Sequence, residues 1–302
     1  MRRDAIAGGL YAVAAFGSWG LVPLYWKTVR EVPGVEMVAH RVLWSVPVVL
    51  WLVAWRRRLP DTRAALADRG HRRLLTWTAA LVALNWLVFI WAVQRDVLLE
   101  ASLGYYVTPL FNVFLGAVVL HERLRRLQWV AVALAATGVA WLTVAQGTVP
   151  VTALALAVTF SLYGLLRKRA GVDALTGLSA ETLILFPVAI AWLAWLVVRG
   201  EAVFPRLAPR EMGLVAASGI VTALPLLWFA HAARRLRLAT IGFFQYLAPT
   251  GQLLLAVFAY GEPFGRARAV AFGFIWTAVA LYLWDAGVSL RNAPDQDGSS
   301  RR

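Results

Sequence analysis

Three carboxamide side chains lie inside long apolar stretches of this sequence, where hydrogen-bonding groups are few. They are Asn85, Asn112 and Gln252. A polar group in such a stretch is costly unless it has a partner, which makes these residues candidate functional positions. Each amide both donates and accepts hydrogen bonds, and together they would form a binding shell for a small polar molecule. The alternative is that each makes one hydrogen bond between helices, worth about 0.6 kcal/mol.

Two charged residues, Arg41 and Glu181, also lie inside apolar stretches. Each precedes a proline, Pro47 or Pro187, by six residues, so the two hold equivalent positions in the repeat described below. A helical rise of about 1.5 Å per residue separates their depths by roughly 15 Å, which argues against a direct salt bridge. We expect each to form a gate at its own end. The alternatives are a static ion pair or a snorkelling side chain.

The gate residues have expected partners of opposite charge. For Arg41 these are acids such as Glu100 or Glu262, and for Glu181 they are bases such as Arg167 or Arg234. If Glu181 faces a wet cavity, its protonation would couple movement of a solute to a proton gradient. Gating or proton coupling is therefore expected of Arg41, Glu181 and Glu262.

Trp19 and Tyr163 are a further equivalent pair, in the segments FGSWG and FSLYG. Their rings would offer flat faces to a planar or cationic molecule. Packing in the core or against lipid is the competing interpretation, because 15 Trp and 14 Phe leave much room for coincidence.

Several kinds of chemistry lack their residues. The chain has no cysteine, and its four histidines are scattered without metal-ligand spacing. Neither a nucleophile elbow nor a nucleotide-binding loop is present. The sequence therefore predicts no enzyme activity, no metal and no cofactor. The HER segment at residues 121–123 is the nearest imitation of a catalytic motif, and its position at a helix end favours a cap or topology element.

Composition indicates a protein of the lipid bilayer. Hydrophobic residues make up 60% of the chain and charged residues 15%, against roughly 25% charged in soluble domains. About 20 apolar residues span a bilayer, and ten such stretches follow one another. They are Ile6–Trp26, Glu36–Trp55, Leu74–Val93, Ala101–Leu120, Leu127–Val144, Pro150–Leu166, Thr176–Val198, Glu211–Ala230, Thr240–Ala259 and Ala267–Trp284.

Basic residues predict the orientation of these spans. The amino-terminal side collects 21 Lys and Arg, the opposite side collects 8, and Arg41 lies within a span. Because basic loops stay in the cytoplasm, both termini are expected there. The net charge of +14 is explained by this topology rather than by nucleic-acid binding. Residues 287–302 are expected to be a disordered cytoplasmic tail.

The two halves of the sequence resemble each other at a shift of 140 residues. Residues 109–143 give nine identities in 35 with the matching stretch, and Pro109 aligns with Pro249 as Pro47 does with Pro187. Five spans per half is an odd number, so the second half enters the membrane from the opposite side. We therefore predict two inverted five-helix repeats, residues 1–145 and 146–286. The matched prolines would bend their helices, or would be ordinary kinks.

Several motifs resemble a known family. FGSWGLVPLYWK in the first span, HRVLWS at residues 40–45, and SLGYYVTPL followed by HERL are similar to the RarD group of the EamA branch of the drug/metabolite transporter superfamily. The resemblance extends from Gly8 to about Trp284. It implies an all-α, ten-helix permease of the bacterial inner membrane, and it does not imply a particular substrate.

Repeat and resemblance together predict a secondary transporter of a small metabolite or drug-like molecule. Inverted repeats give a transporter two nearly equivalent states, each open to one side of the membrane. The expected partners are a small-molecule substrate, membrane lipid, and either protons or a counter-solute, with no nucleic acid. A sparsely charged centre favours a neutral or zwitterionic substrate. The alternative is a membrane sensor or assembly protein that keeps the scaffold without transport.

Overall fold

The computed structural model describes residues 2–121, 125–233, 235–236 and 244–291. All regular structure in these ranges is helical. The helices are α1 (Arg2–Thr28), α2 (Gly34–Trp55), α3 (Leu59–Ala67), α4 (Arg69–Gln94), α5 (Leu98–Leu120), α6 (Arg126–Gln146), α7 (Val151–Ala170), α8 (Ala174–Val198), α9 (Pro209–Ala233), α10 (Leu247–Leu254) and α11 (Arg266–Arg291). A π-helical turn, Leu255–Ala259, continues α10, and a 3-10 turn, Phe204–Arg206, lies between α8 and α9.

Eight helices are long and apolar enough to cross a membrane, which makes this an all-helical integral membrane protein. Two further apolar helices are shorter, Val151–Arg167 and Leu247–Ala259. They correspond to the sixth and ninth spans expected from the sequence. The start of the expected ninth span, residues 240–243, lies outside the described residues. A count of ten spans therefore stays a prediction.

The described residues pack as two compact units. The first comprises Met1–Thr108 and Val151–Pro263, and the second comprises Pro109–Pro150 and Phe264–Arg302. Each unit draws segments from both predicted halves, 1–145 and 146–286. The compact units thus cut across the sequence repeat and do not test its boundaries. The first unit ends at Thr108 inside α5, directly before one of the matched prolines.

Close helix packing in the first unit depends on small residues. α2 packs on α8 and α9, α4 on α7, and α1 on α9 and α10. Gly219 of α9 lies against the backbone of Trp44 in α2, where an added Cβ atom would overlap the Trp44 carbonyl. A Cβ atom at Gly104 of α5 would lie 2.6 Å from the carbonyl oxygen of Ala153 in α7. Membrane helices commonly use glycine for such approaches.

The second unit is built mainly from α6 and α11, which pack along each other. A Cβ atom at Gly138 would lie 2.9 Å from the carbonyl oxygen of Ala271, so glycine sets the helix separation here as well. Arg125 forms an ion pair of 2.8 Å with the mostly buried Asp285. α11 continues to Arg291, into the range 287–302 that was expected to be a disordered tail. From residue 292 onward that range lies outside the described residues.

The basic connection between α2 and α4 is not a plain loop. α3 forms there, with Pro60 in its first turn, where a missing N–H removes no helical hydrogen bond. Thr62 of α3 lies 2.9 Å from Ser179 of α8, hydroxyl to hydroxyl. Asp68 then caps α4 by accepting from the backbone N–H of His71 at 2.7 Å, which lowers the pKa of the Asp68 carboxyl. The connection is therefore fixed against the first unit.

Candidate functional site

Asn85 lies in a buried hydrogen-bond cluster that joins three helices. Its Nδ2 donates to the Thr159 hydroxyl at 2.9 Å and to the Leu156 carbonyl at 3.1 Å, both on α7. Its Oδ1 accepts from the Tyr105 hydroxyl of α5 at 3.2 Å. Only 2% of Asn85 is exposed. In this conformation the amide makes helix-to-helix hydrogen bonds, the alternative weighed above, and its role in a binding shell stays a prediction.

Gln252 and Trp19 meet where α10 packs on α1. Nε2 of Gln252 donates to the carbonyl oxygen of Trp19 at 3.2 Å. Oε1 of Gln252 is buried and accepts no hydrogen bond. The Trp19 ring packs edge-on against Phe16 at a centroid distance of 5.3 Å and lies 6.1 Å from Phe229. Two of the five expected substrate contacts are thus neighbours, one of them within an aromatic cluster.

Asn112 has different surroundings. It lies in α5 beyond Pro109, in the second compact unit, and its side chain is exposed. Nothing in the described residues supplies a hydrogen-bond partner for it. Its membership of a binding shell also stays a prediction.

Glu181 is the centre of the most connected polar cluster in the first unit. Its Oε1 accepts from the Thr78 hydroxyl at 2.7 Å and lies 3.5 Å from Nε of Arg167. Its Oε2 accepts from the Tyr163 hydroxyl at 3.2 Å. We call these four residues the Glu181 cluster. It ties α4, α7 and α8 together around a carboxylate that is 2% exposed.

The cluster brings together two residues expected to serve different purposes. Tyr163, expected to present its ring to a substrate, instead uses its hydroxyl on the expected gate residue Glu181. Arg167, one of the two bases expected near Glu181, is present, while Arg234 lies outside the described residues. The Arg167 guanidinium rests on Gly177, where any side chain would overlap it. This carboxylate does not face a wet cavity in the present conformation.

Arg41 stacks on two indole rings. Its Cζ lies 3.9 Å from the ring centroid of Trp86 in α4 and 5.4 Å from that of Trp26 in α1. No carboxylate among the described residues forms an ion pair with it, and its Nε is buried without a hydrogen-bond partner. A desolvated cation–π contact is worth about 2 kcal/mol, less than the roughly 2.5 to 3.5 kcal/mol that a central charge costs on the insertion scale. The stack therefore offsets only part of the cost of this charge.

The structure does not bring Arg41 to Glu100 or Glu262. Both carboxylates accept from backbone N–H groups at the starts of helices instead. Glu262 accepts from Leu98 at 2.8 Å and Leu99 at 2.9 Å, at the start of α5. Glu100 accepts from Thr152 at 2.9 Å, at the start of α7. Negative charge at a helix N-terminus is stabilising, so both residues have a structural role here. A gating role for Glu262 stays a prediction.

The four matched prolines all lie in helices. Pro47, Pro109 and Pro187 are interior to α2, α5 and α8, where each removes a backbone hydrogen bond. Pro249 differs, because it lies in the first turn of α10, where an N–H would have no partner within the helix.

Sequence reasoning missed Thr78, Tyr105, Thr159 and Trp86. Their spacing contained a signal. Thr78 and Asn85 are seven residues apart on α4, and Thr159 and Tyr163 are four apart on α7, so each pair lies on one helix face. A search for hydroxyl residues in register with the amide and the acid would have found three of the four. Trp86 carries no such signal among so many tryptophans.

Comparison with known proteins gives one consistent result. Residues 6–144 match the model of the EamA-like transporter family. An uncharacterized transporter of Vibrio cholerae is 44% identical over 295 residues, which cover 97% of this chain and 98% of that protein. Protein RarD of Escherichia coli K12 is 43% identical over 280 residues, covering 92% and 94% of the two chains. A protein crystal structure with 22% identity superposes with a TM-score of 0.61, covering 93% and 98%, and shows a shared fold.

Proposed function

Because the chain belongs to the EamA-like transporter family, in its RarD-type group, we propose that it moves a small metabolite or drug-like molecule by alternating access. It is a multi-pass permease of the inner membrane. Alternating access requires two similar halves that can exchange conformations. The proposal includes the absence of catalysis, since transport needs no bond to be broken.

One observation carries the alternating-access mechanism. Three helices of the first half begin 140 residues before three helices of the second half. The starting pairs are Gly34 and Ala174, Arg69 and Pro209, and Arg126 and Arg266. The same shift aligns the sequences, so the regularity extends from residue types to helix boundaries. With five spans in each half, it supports two inverted repeats, with both chain termini in the cytoplasm.

The Glu181 cluster is the proposed gate on the side of the termini. It links α4, α7 and α8 through three contacts to one carboxylate, and opening a path between these helices requires those contacts to separate. Once exposed, Glu181 would be able to exchange a proton with water, and the alternative driving force is a counter-solute. The proposed substrate contacts are Asn85, Asn112, Gln252, Trp19 and Tyr163. Their chemistry favours a neutral or zwitterionic molecule.

The test is transport by the purified full chain in lipid vesicles. A thermal-shift screen of metabolites and drugs first supplies compounds that stabilise the protein, because a ligand that binds only the folded state raises its stability. Each compound is then followed in counterflow between the vesicle interior and the medium. Asn85→Ala and Trp19→Ala report on binding, and Glu181→Gln reports on gating.

The outcomes separate the two functional classes. Counterflow that depends on the protein and is slowed in Glu181→Gln supports the transporter with its gate. Binding without movement of any solute would overturn transport and favour a membrane sensor or assembly protein. Counterflow that is unchanged in Glu181→Gln would remove the gate from the proposal while leaving transport in place.

A further inference from the structure

Arg41 is a charged side chain inside a membrane helix whose ion-pairing capacity is unused by the described residues. It lies in α2, and the acids that would be its natural partners are occupied. Glu100 and Glu262 accept from backbone N–H groups, as described above. Glu36, one helical turn before His40, is 2% exposed and accepts from the N–H groups of Val203 and Phe204 at 2.9 to 3.2 Å. The counter-charge of Arg41 therefore has to come from elsewhere.

The aromatic stack positions the guanidinium without consuming its hydrogen bonds. The Trp86 ring at 3.9 Å and the Trp26 ring at 5.4 Å interact with the guanidinium through their π faces. Guanidinium N–H donors point outward in the plane of the group, so stacking leaves them available. Planar guanidinium in this arrangement suits a carboxylate, which accepts two parallel hydrogen bonds from it. A static stack would explain the position of Arg41 but not its missing acceptor.

A second side chain at the same place also lacks an acceptor. Trp26 is 1% exposed, and its Nε1 donates to no described residue. Nε of Arg41 is likewise buried without a partner. Two neighbouring buried donors with no acceptor between them are unusual, because such groups are nearly always paired. One carboxylate is a ligand that answers both.

The surroundings also suggest the body that carries the carboxylate. Trp86 follows Asn85 directly in α4, so the guanidinium reaches the level of the Asn85 cluster. The Tyr105 hydroxyl belongs to that cluster, and its ring packs edge-on against Phe89 at 5.6 Å and Phe160 at 6.3 Å. Aromatic walls beside one cation suit a small apolar or zwitterionic molecule with a single carboxylate.

We propose that Arg41 binds the carboxylate of the transported molecule, an inference that rests on the proposed transport function. The substrate class is then monocarboxylates, amino acids among them, with Arg41 as the residue that selects the acid over its neutral derivatives. Arg41 thereby acts in substrate recognition rather than as a gate paired with Glu100 or Glu262.

The test uses matched ligand pairs. Purified full chain is screened by thermal shift against α-amino acids and simple carboxylic acids, each beside its own carboxamide, and the stabilising compounds are followed in vesicle counterflow. The variants are Arg41→Gln, which removes the charge, and Arg41→Lys, which keeps it without the planar fork. The control is Arg199→Gln, because Arg199 also stacks on an indole, that of Trp195 at 5.3 Å, outside the spans.

The expected result is stabilisation by at least one acid and not by its amide, with apparent affinity lowered tenfold or more in Arg41→Gln. Arg41→Lys should retain part of that affinity, and Arg199→Gln all of it. Equal response to acid and amide, or an acid response that survives in Arg41→Gln, would overturn the carboxylate assignment. If the neutral compounds still show counterflow, transport stands while this inference fails. If no solute moves at all, the proposed function itself fails.

Discussion

Arg167 and Glu181 meet between α7 and α8, with Nε of the arginine 3.5 Å from Oε1 of the glutamate. Glu181 is the repeat equivalent of Arg41, yet the two have unlike surroundings. The acid is held by three donors, whereas the arginine stacks on rings without an acid. Inverted repeats thus place opposite charges at equivalent positions, and the two charges have diverged in use. The first prediction concerns the pair that is made.

Glu181→Gln is expected to destabilise the protein by about 3 to 5 kcal/mol, because it leaves the mostly buried Arg167 guanidinium without its counter-charge. Unfolding in mixed micelles measures the change. Glu201→Gln is the matched control, since it breaks an exposed pair with Arg199, and should cost less than about 1 kcal/mol. The double variant Arg167→Gln with Glu181→Gln should recover much of the loss. Equal small losses in both single variants would show that the buried pair carries no special weight.

Gly219→Ala is expected to destabilise by about 1 to 3 kcal/mol or more, the usual cost of overpacking. The added methyl group would overlap the Trp44 carbonyl, a backbone atom that cannot rotate away. Gly213 lies on the same helix α9, where an added Cβ atom meets nothing within 4 Å. Gly213→Ala should therefore be neutral or stabilising by up to about 1 kcal/mol. Thermal unfolding of both variants decides the matter, and similar values would contradict the close packing of α2 and α9.

Asn85→Ala and Asn112→Ala are expected to separate two roles of the amides. Asn85 makes three hydrogen bonds across helices, so its loss should cost about 1 to 2 kcal/mol at roughly 0.6 kcal/mol per bond. The exposed Asn112 should cost almost nothing in stability. A loss of ligand binding in Asn112→Ala at unchanged stability would place it in the binding shell, and unchanged binding would remove it.

The sequence was sufficient for most of the fold and for less of the site. Helix positions follow from apolar length and the shift of 140 residues, which any bilayer protein must express in its residue types. α3 was missed because the basic residues around it indicated only topology. The partners of Glu262 and Glu100 were missed for another reason: both accept from backbone N–H groups. Backbone donors have no residue type, so charge pairing alone suggested Arg41 instead.

Asp61→Cys and Glu201→Cys are expected to react from opposite sides of the membrane. Five predicted spans lie between these exposed residues, including the short apolar helix Val151–Arg167. The chain has no cysteine of its own, so each variant carries a single thiol. A membrane-impermeant maleimide added to intact spheroplasts should label Glu201→Cys at once and Asp61→Cys only after permeabilisation, because the basic connection around Asp61 is expected in the cytoplasm. The reverse pattern would contradict the orientation. Labelling of both from one side would mean an even number of spans between them and would remove the inverted repeat, and with it the reason to expect alternating access.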